Sequence, residues 1–207
     1  MGDQPYTAFL PWVVFAVVAR ADGDGVAWAA VCAVVTASAL LLTSHHPGSN
    51  VLMRSAIPLF TIIGAIGYAF DNPSGWIAQN GRALSALGLA IIALGSLLYT
   101  PVSDFYMRSL VRPRRWNNPA FAALNARLTL TWAGTAVLIT VSHLFAAGTH
   151  TAAAGTTFNW VVPIALALVC IHRNREQCEV FIDADNGATP QADTLKDLSL
   201  EWPSADF

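Results

Sequence analysis

The stretch YTPVSDFYMRSLVRPRRWNNPAFAALNARLTLTW, residues 99–132, lies between two long apolar runs and decides how the chain is organised. Thr100-Pro101 ends the first run, and Arg127 stands where the second begins. Between them lie a carboxylate, several amides and a group of arginines, namely Arg108, Arg112, Arg114 and Arg115. A polar segment of this density between lipid-like segments predicts a topology anchor, a site at the membrane surface, or both.

The composition of the chain is that of an integral membrane protein. Of 207 residues, 55% are hydrophobic and 12% are charged, and the mean hydropathy is +0.49. An ordinary soluble domain carries about 25% charged residues. We expect an all-α fold, because helices satisfy their own backbone hydrogen bonds in lipid and no strand-and-turn alternation indicates a barrel.

No motif indicates a metal site, a cofactor or a nucleic-acid partner. Cys32, Cys170 and Cys178 lack the spacing of metal ligands, and they indicate no disulfide framework. The sequence has no DDxxD-like pair of acids, no HExxH motif and no Walker loop. These absences argue against magnesium-dependent prenyl transfer and against zincin or nucleotide chemistry.

Six apolar runs are candidates for membrane helices, which need about 20 residues each. They cover residues 5–19, 26–42, 51–70, 83–99, 121–145 and 158–171. The first run is short and contains Pro11, so a kinked helix or a helix at the edge of the bundle is expected there. The prediction is a polytopic bundle of about six transmembrane helices in residues 1–175.

Basic residues predict the orientation of this bundle, because short loops rich in Lys and Arg stay in the cytoplasm. The arginines of residues 108–115 place their loop inside, and Arg173 with Arg175 place the end of the last run inside. Both termini are then cytoplasmic in a bacterial inner membrane, and Arg82, on the predicted outer side, is the exception. Residues 176–207 hold eight acids and one lysine and are predicted to form a mostly disordered acidic tail.

Two aspartates are candidate catalytic acids. Beyond residue 24, Asp71 and Asp104 are the carboxylates that lie between apolar runs. Burial at the mouth of an apolar pocket would keep such a group neutral and able to donate a proton. The alternatives are structural: an Asx turn at Asp71, and at Asp104 either a helix N-cap or an ion pair with Arg108 four residues later.

The fifth run carries a polar stripe at helical spacing. Its members are Arg127, Thr131, Thr135 and Ser142, with apolar Leu138 interrupting them. A stripe of this kind faces neighbouring helices or a wet cavity, because facing lipid is costly. Hydrogen bonds between helices are one interpretation, and a transport pathway is the other. His143, near the outer end of this run, is expected to be an interfacial histidine.

Aromatic residues surround the same polar stretch. An interfacial belt of Trp and Tyr explains such residues in most membrane proteins. Aromatic faces also stabilise cations, by about 0.5 to 2 kcal/mol each. Under that second interpretation, Trp76, Tyr106, Trp116 and Trp132 would line a site.

The stretch resembles a pattern found in a group of small actinobacterial integral membrane proteins, some of which resemble the membrane-bound terpene cyclases of indole-terpenoid (drimentine-type) pathways. The pattern is carried by Thr100, Pro101, Ser103, Tyr106, Arg108, Pro113, Trp116, Pro119, Phe121, Asn125, Thr129 and Trp132, about a sixth of the chain. The resemblance implies protonation of an alkene or epoxide of a prenylated substrate, followed by ring closure through carbocations.

The sequence therefore leads to the hypothesis of a metal-independent terpene cyclase embedded in the membrane. Asp71 and Asp104 are its candidate acids, and its partners are a prenylated small molecule and membrane lipid. The predicted substrate-binding residues are Trp76, Tyr106, Arg108, Trp116, Asn117, Asn125, Arg127 and Trp132. Two alternatives remain open: a small transporter or channel that uses the polar stripe, and an assembly protein without catalytic activity.

Overall fold

The structure is a computed structural model that describes residues 5–19, 25–43, 50–69, 75–149 and 151–187. These residues are helical almost throughout, and none of them forms a strand. In chain order the helices are α1 Leu10–Val18, α2 Gly25–Thr43, α3 Asn50–Ala69, α4 Trp76–Ser96, α5 Asp104–Leu110, α6 Pro119–Gly148, α7 Ala152–Thr156 and α8 Val162–Gly187. The predicted all-α class is confirmed for the described residues.

Five helical segments are long and apolar enough to cross a membrane. They are α2, α3 from Val51, α4, α6, and α7 with α8 as far as Asp183. The first predicted span is shorter: a 3₁₀ turn, Pro5–Phe9, followed by the nine residues of α1. The helical bundle is thus present, while the number of membrane crossings, the orientation and the positions of the termini stay predictions.

Small residues let the first four helices approach one another closely. The buried face of α2 is made of Val26 and of alanines, namely Ala29, Ala30, Ala33 and Ala37. A Cβ added to Gly64 of α3 would lie 3.0 Å from the Ala30 Cβ, and one added to Gly81 of α4 would lie 2.9 Å from Val26. Close approach of this kind is how membrane helices gain packing energy in lipid.

A second hydrophobic cluster joins α5, the start of α6 and the end of α8. Its buried members are Met107, Val111, Phe121, Leu128 and Cys178. With 30 residues, α6 is about 45 Å long, while the hydrocarbon core of a bilayer is about 30 Å thick. The helix is thus longer than such a layer is thick, and we call the cluster at its N-terminal end the cap.

The last helix extends beyond residue 175, where the acidic tail was predicted to begin. The last helix runs through residue 175 to Gly187, so residues 176–187 are helical rather than part of a disordered tail. The reason is that Cys178, Phe181 and Ile182 pack into the cap at helical spacing. The rest of the predicted tail, residues 188–207, lies outside the described residues.

A proline explains the irregular turn that joins α7 to α8. Residues Thr157–Val161 form a π-helical turn, in which the Val162 N–H reaches back five residues to the Thr157 carbonyl. The next carbonyl, that of Phe158, would need a donor on residue 163, which is Pro163 and has no N–H. Ser142 of α6 supplies the missing donor, and its Oγ lies 2.7 Å from the Phe158 oxygen.

Candidate functional site

A network of polar side chains attaches α5 to the start of α6. Ser103 precedes α5, and its hydroxyl donates to the Asn125 carbonyl oxygen at 2.8 Å and lies 3.0 Å from the Thr129 hydroxyl. All three of these residues are buried. These contacts hold the residue just before α5 against α6, and the side chain of Asp104, the first residue of α5, also contacts α6.

The carboxylate of Asp104 is occupied on both oxygens. Asn125 donates from Nδ2 to Oδ1 at 3.0 Å, and Arg108 donates from Nε to Oδ2 at 2.5 Å. The side chain of Asp104 is 12% exposed. The predicted ion pair with Arg108 is confirmed. The prediction that Asp104 is the N-cap residue of this helix is wrong, because the N-cap residue is Ser103. A carboxylate with both oxygens accepting hydrogen bonds suits an anchor better than a proton donor.

The guanidinium of Arg108 is held on two sides and remains 47% exposed. One side contacts Asp104, and the other lies over the ring of Trp116, 5.0 Å from its centroid. Trp116 is fixed in turn, since its indole Nε1 donates to the Val111 carbonyl at 3.0 Å. An arginine oriented in this way can bind a carboxylate or phosphate that approaches from its exposed side.

The structure brings together four of the predicted site residues, which are Asp104, Arg108, Trp116 and Asn125. We call them, with Ser103 and Thr129, the Asp104 cluster. Tyr106 is partly buried and packs against the cap.

Of the predicted residues that the structure describes, the others take no part in the hydrogen bonds and the ring contact of the Asp104 cluster. Trp76 is exposed at the first residue of α4, at the opposite end of the bundle. Trp132 stacks on Phe9, with ring centroids 4.6 Å apart. Asn117 and Arg127 are exposed, and Asp71 lies outside the described residues.

The threonines of the polar stripe satisfy their hydroxyl donors within α6. Thr131 donates to the Arg127 carbonyl at 2.9 Å, and Thr135 donates to the Thr131 carbonyl at 2.8 Å. The contact between helices comes from Ser142, whose hydroxyl donates to the Phe158 carbonyl. The interpretation as hydrogen bonding between helices therefore fits the stripe better than a polar pathway.

A second polar group, at the other end of the bundle, was not predicted as a site. Arg82 of α4 lies over the Trp160 ring, 4.9 Å from its centroid, and His143 Nδ1 lies 3.0 Å from Asn159 Oδ1. Asn159 and Trp160 are consecutive residues of the π-helical turn, which brings the two pairs together. We call these four residues the Arg82 cluster. The one sequence signal for it is that Arg82 disagrees with the predicted orientation.

Comparisons with protein-family models, with curated protein sequences and with solved structures find no match to the chain. Within the ranges that the structure describes, no three His, Cys, Asp or Glu side chains are grouped as a metal site would require.

Proposed function

We propose that the chain is a metal-independent terpene cyclase of the membrane, and that the Asp104 cluster holds the polar end of its prenylated substrate. One observation supports this most. Ser103, Arg108, Trp116 and Asn125 belong to the pattern that resembles the cyclase-like proteins. These residues are linked through Asp104 by hydrogen bonds and one ring contact where α5 meets α6.

The roles of the two aspartates differ in this proposal. Asp104 is a positioning residue, because its oxygens already bind Arg108 and Asn125. Arg108 binds the polar end of the substrate through its exposed side. Asp71 then remains the candidate proton donor from the sequence. Its described neighbours, Ala69 and Gly75, lie at the end of the bundle opposite to the Asp104 cluster, so the prenyl chain must extend along the bundle to reach it.

The reaction is an isomerisation. A proton from the acid adds to a terminal alkene carbon or to an epoxide oxygen, and the cation is captured by the electron pair of the next alkene. Loss of a proton from the last cation forms the final alkene and restores the acid. The prenyl chain reaches such a site from the lipid, and exclusion of water prevents premature capture of the cations.

The test is an assay of the full chain in nanodiscs with a farnesylated indole, with the cyclised isomer detected by chromatography and mass spectrometry. Asp71→Asn is expected to lower kcat by about 100-fold or more, the contribution of a general acid. Arg108→Gln and Asp104→Asn are expected to raise KM by about tenfold with less change in kcat, since a charged hydrogen bond to substrate is lost or misdirected.

Arg114→Gln is the matched control, because Arg114 is exposed in the same basic loop outside the Asp104 cluster. Its KM is expected to stay within about threefold of the wild-type value. Absence of the cyclised isomer from the wild-type chain contradicts the proposal. Full turnover by Asp71→Asn contradicts the role of the acid.

An assembly protein without catalytic activity is the second candidate, and one observation favours it. Apart from the bond from Trp116 to Val111, the hydrogen bonds of the Asp104 cluster lie within α5 or join α5 and the preceding Ser103 to α6. A purely structural attachment of α5 would show the same pattern. Under this function Asp104→Asn weakens attachment of α5, and no prenylated substrate changes the stability of the wild-type chain.

A further inference from the structure

We propose that the Arg82 cluster binds the anionic head, a carboxylate or a phosphate, of an amphiphile with an acyl chain. The cluster lies at the end of α4 and α6 opposite to the Asp104 cluster, and it includes residues of the π-helical turn before α8. The inference is independent of the cyclase proposal, because it uses different residues at a different end of the bundle.

The positive charge of Arg82 has no carboxylate partner among the described residues. Nε donates to the Ala16 carbonyl at 3.0 Å, and Nη2 donates to the Ala19 carbonyl at 2.5 Å. These acceptors are the C-terminal carbonyls of α1, and together with the Trp160 ring they supply partial negative charge only. Within the described part of the chain, the Nη1 group has no acceptor, so an anion could bind its two protons.

The side chains around Arg82 are held in place before any ligand binds. His143 is buried on α6, and its Nδ1 is paired with Asn159 of the π-helical turn. The turn itself is fixed to α6 by the hydrogen bond from Ser142 to Phe158. Single π-helical turns are often found at functional sites. Here the turn places Asn159 beside His143 and Trp160 beside Arg82.

The surface next to the cluster suits an acyl chain. Of the five long apolar helical segments, the one that contains α8 is the least covered: 6% of its apolar stretch is buried, against 28–44% in the others. Val161, Ile164 and Leu168 are exposed at helical spacing, and the stripe they form begins one residue after Trp160. A head bound at Arg82 would therefore have an apolar face beside it for its chain.

The binding test is native mass spectrometry of the full chain, titrated with dioleoylphosphatidylglycerol, with oleate and with dioleoylphosphatidylcholine. One copy of an anionic amphiphile is expected to bind about tenfold more tightly than the zwitterionic lipid, as one charge-assisted hydrogen-bonded contact would give. Tighter binding of phosphatidylglycerol identifies a phosphate as the head, and tighter binding of oleate identifies a carboxylate.

Arg82→Gln is expected to lower the ratio of affinities for anionic and zwitterionic lipid to less than twofold, because the guanidinium is lost. Arg112→Gln is the control, because Arg112 is an exposed arginine at the other end of the bundle, and the preference is expected to persist. Equal binding of anionic and zwitterionic lipid by the wild-type chain overturns the proposal. So does a preference that survives Arg82→Gln.

A second measurement decides the question if Arg82→Gln does not fold. A photo-crosslinking amino acid replaces exposed Val161, beside the cluster, or exposed Val35 on α2, in a chain that keeps Arg82. Labelling from position 161 is expected to favour phosphatidylglycerol or oleate over phosphatidylcholine about fivefold or more, while labelling from position 35 is expected to be even. Even labelling from both positions overturns the proposal.

Discussion

Each end of the bundle has an arginine that lies over a tryptophan, and the two arginines differ in what balances their charge. Arg108 lies 5.0 Å from the centroid of Trp116, and Arg82 lies 4.9 Å from that of Trp160. Arg108 is paired with a carboxylate four residues earlier on its own helix. Arg82 instead binds backbone carbonyls of α1, which are 63 and 66 residues away in the chain.

The difference shows that the same pairing of arginine with tryptophan can stabilise one short segment or can join two distant helices. The pair at Arg108 is local and half exposed, so its contribution to the whole fold is limited by solvent screening. The contacts of Arg82 attach α1 to α4, and their loss would leave carbonyls of α1 without donors in an apolar setting. Arg82 should therefore matter more for stability than Arg108, and four experiments test this order.

Arg82→Gln is expected to have the largest effect, a loss of about 3 kcal/mol of unfolding free energy. The substitution removes two hydrogen bonds from a charged group and the contact with Trp160. Denaturant unfolding in bicelles gives the value, and hydrogen exchange in α1 locates the loss. Unchanged exchange in α1 would contradict the role of Arg82 as its attachment.

Asn125→Leu is expected to cost about 2 kcal/mol, because a buried amide is lost and Asp104 Oδ1 keeps no donor. Hydrogen exchange should rise in α5 and stay unchanged in α2 and α3. Asn117→Leu is the matched control, since Asn117 is exposed, and it should change stability by less than about 0.5 kcal/mol. Equal losses for the two leucine variants would show that burial at Asn125 is not the cause.

The ion pair of Asp104 and Arg108 is expected to contribute about 1 kcal/mol or less as a coupling energy. A double-mutant cycle of Asp104→Asn and Arg108→Gln measures it in the same unfolding assay. Arg108 is 47% exposed, which is why the value should be small and should fall further as salt is added. A coupling energy larger than the loss of unfolding free energy in Arg82→Gln would reverse the proposed order.

Thr131→Val is expected to have the smallest effect, below about 0.5 kcal/mol. Its hydroxyl bonds a carbonyl of its own helix, and that carbonyl keeps its backbone donor. Ser142→Ala is the contrast, because it removes the donor to the otherwise unsatisfied Phe158 carbonyl and should cost about 1 kcal/mol. Equal effects at the two positions would indicate that the stripe behaves as one unit.

The features that could be predicted are those that depend on residues close together in the chain. Apolar length predicted the five long helices, and a spacing of four residues predicted the pair of Asp104 with Arg108. The second acceptor contact of Asp104, with Asn125, depends on how α5 folds back on α6, which no local pattern encodes. The end of α8 was missed for a different reason: its apolar positions Cys178 and Phe181 are hidden among charged residues when composition is averaged.

The Arg82 cluster could not be predicted, because its members come from separate helices. Arg82, His143 and Asn159 are ordinary residues in their local sequence, and the contacts that join them depend on tertiary packing. The backbone carbonyls of α1 that bind Arg82 have no signature in the sequence at all.

The π-helical turn Thr157–Val161 also determines where the last helix can change in length. A π-helical turn absorbs an additional residue within an otherwise α-helical segment, so a one-residue deletion in this turn leaves the faces that follow where they were. A one-residue deletion between Val162 and Cys170 rotates the remainder of α8 by about 100°. The face formed by Cys170, Asn174 and Cys178 would then point away from α6, so natural or engineered length variants should be tolerated in the turn and rejected just after it.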